Sequence, residues 1–376
     1  MSTLNVPHLR FPEFSGEWKM CTIGELTTKV GSGVTPRGGE AVYKTEGHPF
    51  VRSQNVGLGN LLLDDIAFID EETHLRQKNT ELQFNDVLLN ITGASIGRSA
   101  LVDKQIVGGN VNQHVCIIRT KENLVPSFIC SFLLSNYGQR QIDSFQAGGN
   151  RQGLNFEQIK SIKITIPSKD EQIKIAKLLR AIDERIAIQN KIIDKLQSLI
   201  KGIAQNVARN NKPNIRLSEC LECSSSTLQE SDVCKNGTYP VYGANGIVGY
   251  LDNYNTEKEA VYIIKDGSGV GTVSYVTGKC SATGTLNTLQ AKEGYSLQYL
   301  YYMLKVFNFE PYKTSMAIPH IYFKDYGKAK IFCPSYTEQL KYARLLSAID
   351  NKLSAEQSIL TDLSLQKQYL LRQMFI

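Results

Sequence analysis

The segment PSKDEQIKIAKLLRAID, residues 167–183, recurs as PSYTEQLKYARLLSAID at residues 334–350. The two segments align without a gap at an offset of 167 residues, from Pro167 to Pro334. That offset is far longer than one repeat of a solenoid protein. It predicts a duplicated unit, made of one domain and the helix that follows it.

Both segments have the composition of a helix start. Proline fixes its own φ angle and pushes the preceding residue toward extended structure, so Ile166 and Cys333 should end strands or loops. Glutamate and glutamine then occupy the first turn. We therefore expect a helix to begin at each proline.

Apolar residues continue beyond both starts in steps of four and three over about four heptads, which predicts a coiled-coil seam. The predicted seam residues are Ile175, Leu179, Ile182, Ile186, Ile193, Leu196 and Ile200 in the first helix, and Tyr342, Leu346, Ile349, Leu353, Leu360 and Leu363 in the second. Gln189 and Glu356 interrupt the seam at equivalent positions, and Lys367 interrupts it again. A polar residue there either fixes the register of the helices or is merely exposed.

Similarity between the halves extends upstream of the helices. The corresponding segments are 48–55 with 239–246, 86–102 with 260–276, and 126–136 with 297–307. The first pair reads as a strand entering a polar turn, the second as a strand, a turn and a strand, and the third as an apolar helix. The two halves therefore predict two similar domains.

The predicted fold is α+β, with two similar α/β domains separated by two long antiparallel coiled-coil helices and related by a pseudo-twofold internal duplication. If each domain contacts its helix in the same way, the domains lie at opposite ends of the helical pair. A helix from Ser168 to Ile203 would be roughly 54 Å long. The expected divisions are an N-terminal arm at 1–17, a first domain at 18–166, a first helix at 167–210, a second domain at 211–333 and a second helix at 334–376.

Composition is compatible with two ordinary cores in a chain of 376 residues with 42% hydrophobic content. A formal charge of +6 permits a polyanionic partner without requiring one. There is no apolar run of membrane-spanning length and no apolar signal core near the N-terminus, so we expect a soluble, cytoplasmic protein. Eight irregularly spaced cysteines suit free thiols.

One pair of cysteines has the spacing of a metal or redox site, Cys220 and Cys223. Aligning the first strands of the two halves at an offset of 197 places Ile23 opposite Cys220 and Leu26 opposite Cys223. Apolar counterparts predict that both thiols are packed and bind no metal. The role of the pair stays open.

Catalytic motifs are missing from the sequence. A glycine pattern at residues 267–271 precedes a strand rather than a helix, so it predicts a hairpin turn and not a nucleotide site. No two prolines are adjacent, which excludes the Asn-Pro-Pro-aromatic motif of amino-methyltransferases, and the five histidines are scattered. The chain is therefore not expected to be an enzyme by itself.

The predicted loops are rich in Asn, Gln, Ser, Arg, Lys and Tyr. Asn and Gln can form paired hydrogen bonds with adenine, Arg with guanine, and Lys and Ser can contact phosphates. Ordinary solvated loops contain the same residues. Two similar modules on a fixed spacer favour double-stranded DNA, because its grooves repeat every helical turn.

The chain resembles the specificity subunit of type I restriction-modification systems over essentially its whole length. The resemblance lies in the two Pro-Ser-x-x-Glu-Gln helix starts, in HPFVR at 48–52 and YPVYGANG at 239–246, and in GLN at 153–155 and PHI at 319–321. Each motif is weak alone, and their ordered occurrence in both halves is specific.

This resemblance implies two target-recognition domains, each reading one half of a bipartite DNA site, in a bacterial defence system. It also implies two modification subunits, which use S-adenosylmethionine to methylate adenine-N6, and two restriction subunits, which use ATP and Mg. No cofactor is expected on this chain. The alternatives are a coiled-coil scaffold that binds only proteins, and the specificity factor of a methylation-only system.

Loop position and chemistry select the candidate DNA-binding residues, because base contacts do not carry over between recognition domains. In the first domain they are Arg52, Gln54, Asn55, Arg98, Asn112, Asn150 and Arg151. In the second they are Tyr242, Asn245, Lys265, Ser268, Lys313, His320 and Tyr322. On the helices, Lys174, Lys177, Arg180, Lys341 and Arg344 are candidates for contacts with partner subunits or with the DNA backbone, or for a solvated face.

Overall fold

The computed structural model describes residues 5–146, 153–267, 269–314 and 319–376. It divides into two compact units, Met1–Gln189 with Ile359–Ile376, and Asn190–Ser358. Each unit contains one α/β domain and parts of both long helices. Within the described ranges, no helix is both long and apolar enough to cross a membrane.

The strands of the first domain form two antiparallel-rich sheets and one short pair. They are β1 (Lys19–Thr22), β2 (Thr27–Ser32), β3 (His48–Val51), β4 (Ala67–Ile69), β5 (Val87–Asn90), β6 (Ser99–Leu101), β7 (Asn110–Val111), β8 (Val115–Thr120) and β9 (Lys163–Ile166). The helices are α1 (Glu71–Arg76), α2 (Pro126–Leu134), α3 (Asn136–Ser144), α4 (Phe156–Ser161) and the long α5 (Lys169–Arg209). The sheet orders are β2-β8-β5-β6, β4-β3-β7 and β1-β9.

The second domain repeats these sheets strand for strand. Its strands are β10 (Ile215–Arg216), β11 (Leu221–Ser225), β12 (Tyr239–Gly243), β13 (Gly246–Leu251), β14 (Ala260–Ile264), β15 (Val273–Val276), β16 (Ser281–Ala282), β17 (Leu286–Ala291) and β18 (Lys330–Ile331). Its helices are α6 (Leu217–Cys220), α7 (Leu297–Lys305), α8 (Phe323–Tyr326) and the long α9 (Tyr336–Gln373). The orders β11-β17-β14-β15, β13-β12-β16 and β10-β18 match the first domain, so the predicted α+β duplication is confirmed.

The central strands are buried on both faces. In β5, Val87 and Leu89 pack into one core with α2, whereas Leu88 packs into a second core formed with the three-stranded sheet. Because successive side chains of a strand point to opposite faces, the large sheet lies between these two layers. This explains why the sequence of β5 is uniformly apolar up to Asn90.

The glutamine of each repeated segment joins the long helix to its domain. Gln172 is 1% exposed, and its Oε1 accepts from the N–H of Val125 at 2.8 Å while its Nε2 donates to the carbonyl of Pro167 at 3.1 Å. Gln339, 2% exposed, makes the same bonds to Ser296 and Pro334. Val125 and Ser296 immediately precede the equivalent helices α2 and α7, so the repeat is retained by a specific buried contact.

The glutamate of the repeat has different partners in the two copies. In the first unit, Glu171 is buried and forms an ion pair with Arg10 of the N-terminal arm at 2.8 Å. In the second, Glu338 caps its own helix by accepting from the Ser335 hydroxyl at 2.7 Å. The N–H of Leu9 also donates to the Gln373 carbonyl, so the arm contacts both long helices.

The predicted seam is buried or half-buried along both helices. Ile175, Leu179, Ile182, Ile193, Ile200, Leu346 and Leu353 are buried, and Ile186, Leu196, Tyr342, Ile349, Leu360 and Leu363 are half-buried. In the first unit, the start of α5 shares a core with the end of α9, at Leu370 and Met374. The helices are therefore antiparallel there, as the sequence predicts.

The polar interruptions of the seam are not solvated. Gln189 and Glu356 are only 7% and 6% exposed, so the alternative that these positions are merely exposed is wrong. Lys367 is also largely covered, and its Nζ lies 2.5 Å from Oδ1 of Asp183 and 3.2 Å from the carbonyl of Leu58. A polar pair of this kind fixes the register of α9 against α5.

Strand register corrects the alignment of the two domain starts. Cys21 pairs with Ile164, and Ile215 pairs with Ile331, which is the equivalent of Ile164 at the 167-residue offset. The first strands therefore align at an offset of 194, and the predicted offset of 197 is wrong. The two first strands are short and share little sequence, so only their hydrogen bonds to a partner strand define the register.

With the corrected register, Cys220 lies opposite Leu26. A bulge between Thr27 and Lys29 then places Cys223 opposite Val30, since Val30 pairs with Ile118 and Cys223 with the equivalent Leu289. Cys220 is buried as Leu26 is, whereas Cys223 is half-buried on β11. Burial raises the pKa of Cys220 to about 12 and that of Cys223 to about 11, so both thiols are protonated near neutral pH. Metal coordination requires the thiolate, and this disfavours a metal role for the pair.

Replacing Gln172 with Ala should destabilise the protein by about 1–3 kcal/mol, because it leaves the N–H of Val125 without its acceptor. Urea unfolding measures the change, with the exposed Lys177→Ala on the same helix as the control. Equal stability of the two variants would show that the buried amide does not hold the helix to the domain.

Candidate nucleic-acid interface

In both domains the loops that leave the central strands meet at one edge of the large sheet, which we call the loop edge. In the first domain it comprises residues 33–38, 52–55, 92–98, 112–114 and 153. In the second it comprises residues 243–246, 265–272, 283–285, 313–314 and 319–322, with Ser268 outside the described residues.

Backbone hydrogen bonds build this edge in the same way twice. The N–H of Leu154 donates to Ile91 at 2.8 Å, and the N–H of Ile321 donates to Lys265 at 3.0 Å. These bonds place the segment before α4 or α8 beside the loop that follows β5 or β14. Leu154 and Ile321 are 167 residues apart, so the bonds equate them at the same offset as the repeated helix starts.

Side chains of the first domain connect the loops of its edge. Asn90, the last residue of β5, donates to the carbonyl of Ser53 at 2.8 Å and to the hydroxyl of Ser95 at 3.1 Å. The hydroxyl of Thr92 lies 2.6 Å from Nδ1 of His114. Three loops from separate parts of the sequence are thus held together at one place.

The glycine-rich loop after β2 reaches the same edge. The N–H of Thr35 donates to Oε1 of the exposed Gln113 at 3.0 Å. A Cβ at Gly33 would lie 1.7 Å from the carbonyl oxygen of Val111, so only glycine fits this approach. Gly33 therefore lets the loop after β2 approach the backbone of β7 closely.

In the second domain, His320 lies at the centre of the loop edge. Its Nδ1 is 2.5 Å from Oδ1 of Asp266, and its ring is nearly parallel to that of Tyr322 at 6.5 Å. Thr314 and His320 exchange both backbone hydrogen bonds, at 2.9 and 3.1 Å. The neighbouring glycine pattern forms a turn with positive φ at Gly267 and Gly271 that leads into β15, as predicted.

Seven candidate residues offer side chains toward solvent at or beside these edges. Gln54, Arg98, Asn245 and Tyr322 are exposed, and Lys265, Lys313 and His320 are half-buried. Asn245 lies in the two-residue turn between β12 and β13, and Lys313 forms an ion pair with Glu310 at 2.5 Å. Gln54 donates to Asp65.

Four other candidates, two buried and two half-buried, make contacts within their own domains. Asn55 is 1% exposed, accepts from the N–H of Arg52 at 3.0 Å and donates to the carbonyl of Leu62 at 2.9 Å. The Arg52 guanidinium pairs with Asp65 at 3.1 Å and lies over the ring of Tyr43.

The remaining two of these four are covered to different degrees. Asn112 is buried and accepts from the N–H of His114 at 3.0 Å. Tyr242 is half-buried against Tyr262, and burial raises the pKa of its hydroxyl. Asn150, Arg151 and Ser268 lie outside the described residues.

Residue-type reasoning missed several side chains at the edge. Thr92, Gln113 and His114 in the first domain, and Asp266 and Thr285 in the second, connect or border its loops. Thr92 and Asp266 occupy the same position, two residues beyond the ends of β5 and β14. The sequence did contain a signal for these two residues, because each lies two positions beyond an apolar segment that reads as a strand. Within the described ranges, no three His, Cys, Asp or Glu residues form a metal-binding cluster.

The family model for the type I restriction modification DNA specificity domain matches residues 15–198 and 213–364, one match for each half. The chain belongs to the type I restriction-modification specificity family. Specificity subunits are the non-catalytic members of these systems, in agreement with the sequence prediction. The resemblance inferred from the repeated motifs is confirmed.

Individual relatives give the same assignment. A putative type I specificity subunit of Mycoplasma genitalium is 25% identical over 315 residues, which are 78% of this chain and 81% of the relative. The EcoKI specificity subunit of Escherichia coli strain K12 is 22% identical over 50% of this chain and 41% of its own length.

Solved structures share the fold. The crystal structure of a type I S subunit from M. genitalium matches with a TM-score of 0.69 at 20% identity and covers 99% of both chains. A chain from a structural study of complex assembly and conformational transition of the type I R-M system matches with a TM-score of 0.55 at 16% identity, over 97% and 98% of the two chains.

Asn55→Ala should lower the free energy of unfolding by about 1–3 kcal/mol, because it leaves the partners of a buried amide unsatisfied. Gln54→Ala is the matched control, since its side chain is exposed on the same turn. Thermal and urea unfolding compare the two. Equal stability would contradict a structural role for Asn55.

Proposed function

We propose that each domain reads one half of a bipartite DNA site through its loop edge. The observation that supports this most is the duplication itself: one sheet topology occurs twice, and its equivalent edges present different side chains. A shared frame with different loops suits two half-sites of different sequence. Membership of the specificity family supports the same conclusion.

The exposed chemistry of the edges suits the major groove. Arg98 can form paired hydrogen bonds with guanine, and Gln54 and Asn245 with adenine. Lys265 and Lys313 are suited to phosphates, which position the protein without selecting a sequence. Because Arg52, Asn55, Asn112 and Tyr242 serve the interior of the domains, we assign base reading to the exposed group.

The long helices would set the half-site spacing and bind the modification subunits. Their outer surfaces include exposed apolar side chains, namely Ile188 and Leu199 on α5 and Leu345, Leu365 and Tyr369 on α9. Exposed apolar residues beside charged ones favour a protein partner over a nucleic acid. Lys177, Lys341 and Arg344 are exposed there too, whereas Lys174 pairs with Glu13 and Arg180 with Glu184.

The chemistry of the assembly would belong to its partners. Two modification subunits would supply S-adenosylmethionine and methylate adenine-N6, and two restriction subunits would use ATP and Mg for translocation and cleavage. This chain would contribute sequence recognition and spacing. The assignment of domains to residues 18–166 and 211–333, with spacer helices at 167–210 and 334–376, is part of this proposal.

Mapping methylated adenines across the genome, with and without this gene, tests the function directly. We expect a bipartite motif that disappears with the gene. Unchanged methylation, combined with no sequence preference of the purified protein on DNA, would favour a scaffold that binds only proteins. Loss of methylation in a strain without restriction activity would identify a methylation-only system.

Arg98→Ala should weaken binding to the cognate duplex by about 1–3 kcal/mol and relax one position of one half-site. Asn245→Ala should do the same in the other half-site. Lys104→Ala is the control, since it is exposed beyond the opposite end of β6. Binding to duplexes with single-base changes measures the preference, and equal losses on all sequences would identify a phosphate contact instead.

Inserting one heptad at equivalent positions of α5 and α9 should lengthen the spacer and leave both half-sites unchanged. Seven helical residues add about 10 Å, close to three base pairs, and preserve the seam. Methylome mapping reads the new motif. A changed half-site sequence would contradict the division of labour between domains and helices, and insertion into one helix alone is the mismatched control.

A further inference from the structure

Each loop edge contains one histidine, and both rings are held by the residue at the same structural position. Thr92 and Asp266 are equivalent, since they form matching antiparallel bridges with Gly153 and His320. The Thr92 hydroxyl lies 2.6 Å from Nδ1 of His114, and the Asp266 carboxylate lies 2.5 Å from Nδ1 of His320.

The two histidines come from different segments of the fold. His114 immediately precedes β8, where the second domain has Thr285 before β17. His320 precedes α8, where the first domain has Gly153 before α4. Each domain therefore places an imidazole beside the end of its central strand, and each leaves a small residue at the site that the other uses.

Backbone hydrogen bonds also join the segments that carry these rings. In the first domain the N–H of Ile91 donates to the carbonyl of His114 at 3.0 Å, and in the second domain backbone bonds of Thr314 and Ile321 hold the segment of His320. Both rings are half-buried, so one side of each is accessible to a ligand. A side-chain bond that orients an accessible ring, on segments that backbone bonds already join, points to recognition.

We propose that His114 and His320 each contact one base edge of their half-site, with Thr92 and Asp266 as positioning residues. The inference rests on the proposed function; it adds His114, which residue type did not select, and gives a defined contact to His320, which is already a candidate. Histidine at such an edge can donate to or accept from bases in the major groove, according to which ring nitrogen holds the proton.

The two positioning residues should give the rings different preferences. A carboxylate only accepts, so it holds the proton of neutral His320 on Nδ1 and leaves Nε2 as an acceptor for the amino group of adenine or cytosine. The Thr92 hydroxyl can donate or accept, so it does not fix the His114 tautomer by itself, and a base at Nε2 would replace the amide nitrogen of Gln113, which lies 3.3 Å away. The His320 contact should therefore depend more strictly on a base amino group.

Selection from a pool of random duplexes tests this, with the full-length chain and the modification subunit that the proposed function assigns to it. His114→Gln and Thr92→Val should relax the same position of one half-site, by roughly fivefold to a hundredfold. His320→Gln and Asp266→Asn should relax one position of the other half-site. Thr92→Ser retains the hydroxyl and should restore the preference lost in Thr92→Val.

A base analogue tests the chemistry at the His320 position. Replacing adenine by purine, or cytosine by 2-pyrimidinone, removes the amino group and should weaken binding of the wild-type protein. The same replacement should have little effect on His320→Gln, because the contact is already gone. An equal loss in both proteins would overturn the assigned contact.

The outcomes distinguish a failure of the proposed function from a failure of the histidine contacts alone. Enrichment of no bipartite sequence by the wild-type protein would overturn the proposed function and this inference with it. Normal enrichment, with unchanged base preferences in folded His114→Gln and His320→Gln, would overturn the inference alone. Circular dichroism melting verifies folding, and a lowered melting temperature with intact base preferences would assign the rings a structural role.

Discussion

The buried amides of Gln172 and Gln339 are the contact on which the arrangement within each unit depends. Each accepts from the backbone N–H that precedes a domain helix and donates to the proline carbonyl at the start of its own long helix. A buried amide without these partners would lose stability, so the helix must leave its domain at one place. The direction of each long helix is thereby tied to its domain.

The antiparallel pairing adds a constraint that differs between the units. In the first, Lys367 binds Asp183, and Phe375 packs beside Phe128 in the domain core. In the second, Asp350, the equivalent of Asp183, accepts from the Tyr302 hydroxyl at 3.2 Å. A duplicated frame has therefore acquired different polar partners at equivalent positions.

In each domain, the side chains that stabilise the fold lie apart from the side chains that a ligand could reach. Central strands are buried on both faces and end at a loop edge where polar side chains from distant segments meet. The frame fixes where the loops begin, and the loops can differ without disturbing it. The two domains of this chain show such a combination, since one sheet topology carries two different sets of loops.

The sequence by itself determined the duplication, the helix starts and most of the seam, because a gapless repeat and a heptad period are local patterns. It left open whether Gln189 and Glu356 are buried, and it misaligned the domain starts by three residues, because register depends on partner strands. It also selected Asn55 by residue type, although only the tertiary structure shows that its amide is consumed inside the fold. The pairing of His114 with Thr92 was invisible for the same reason, since residues 22 positions apart meet only when two strands end at one edge.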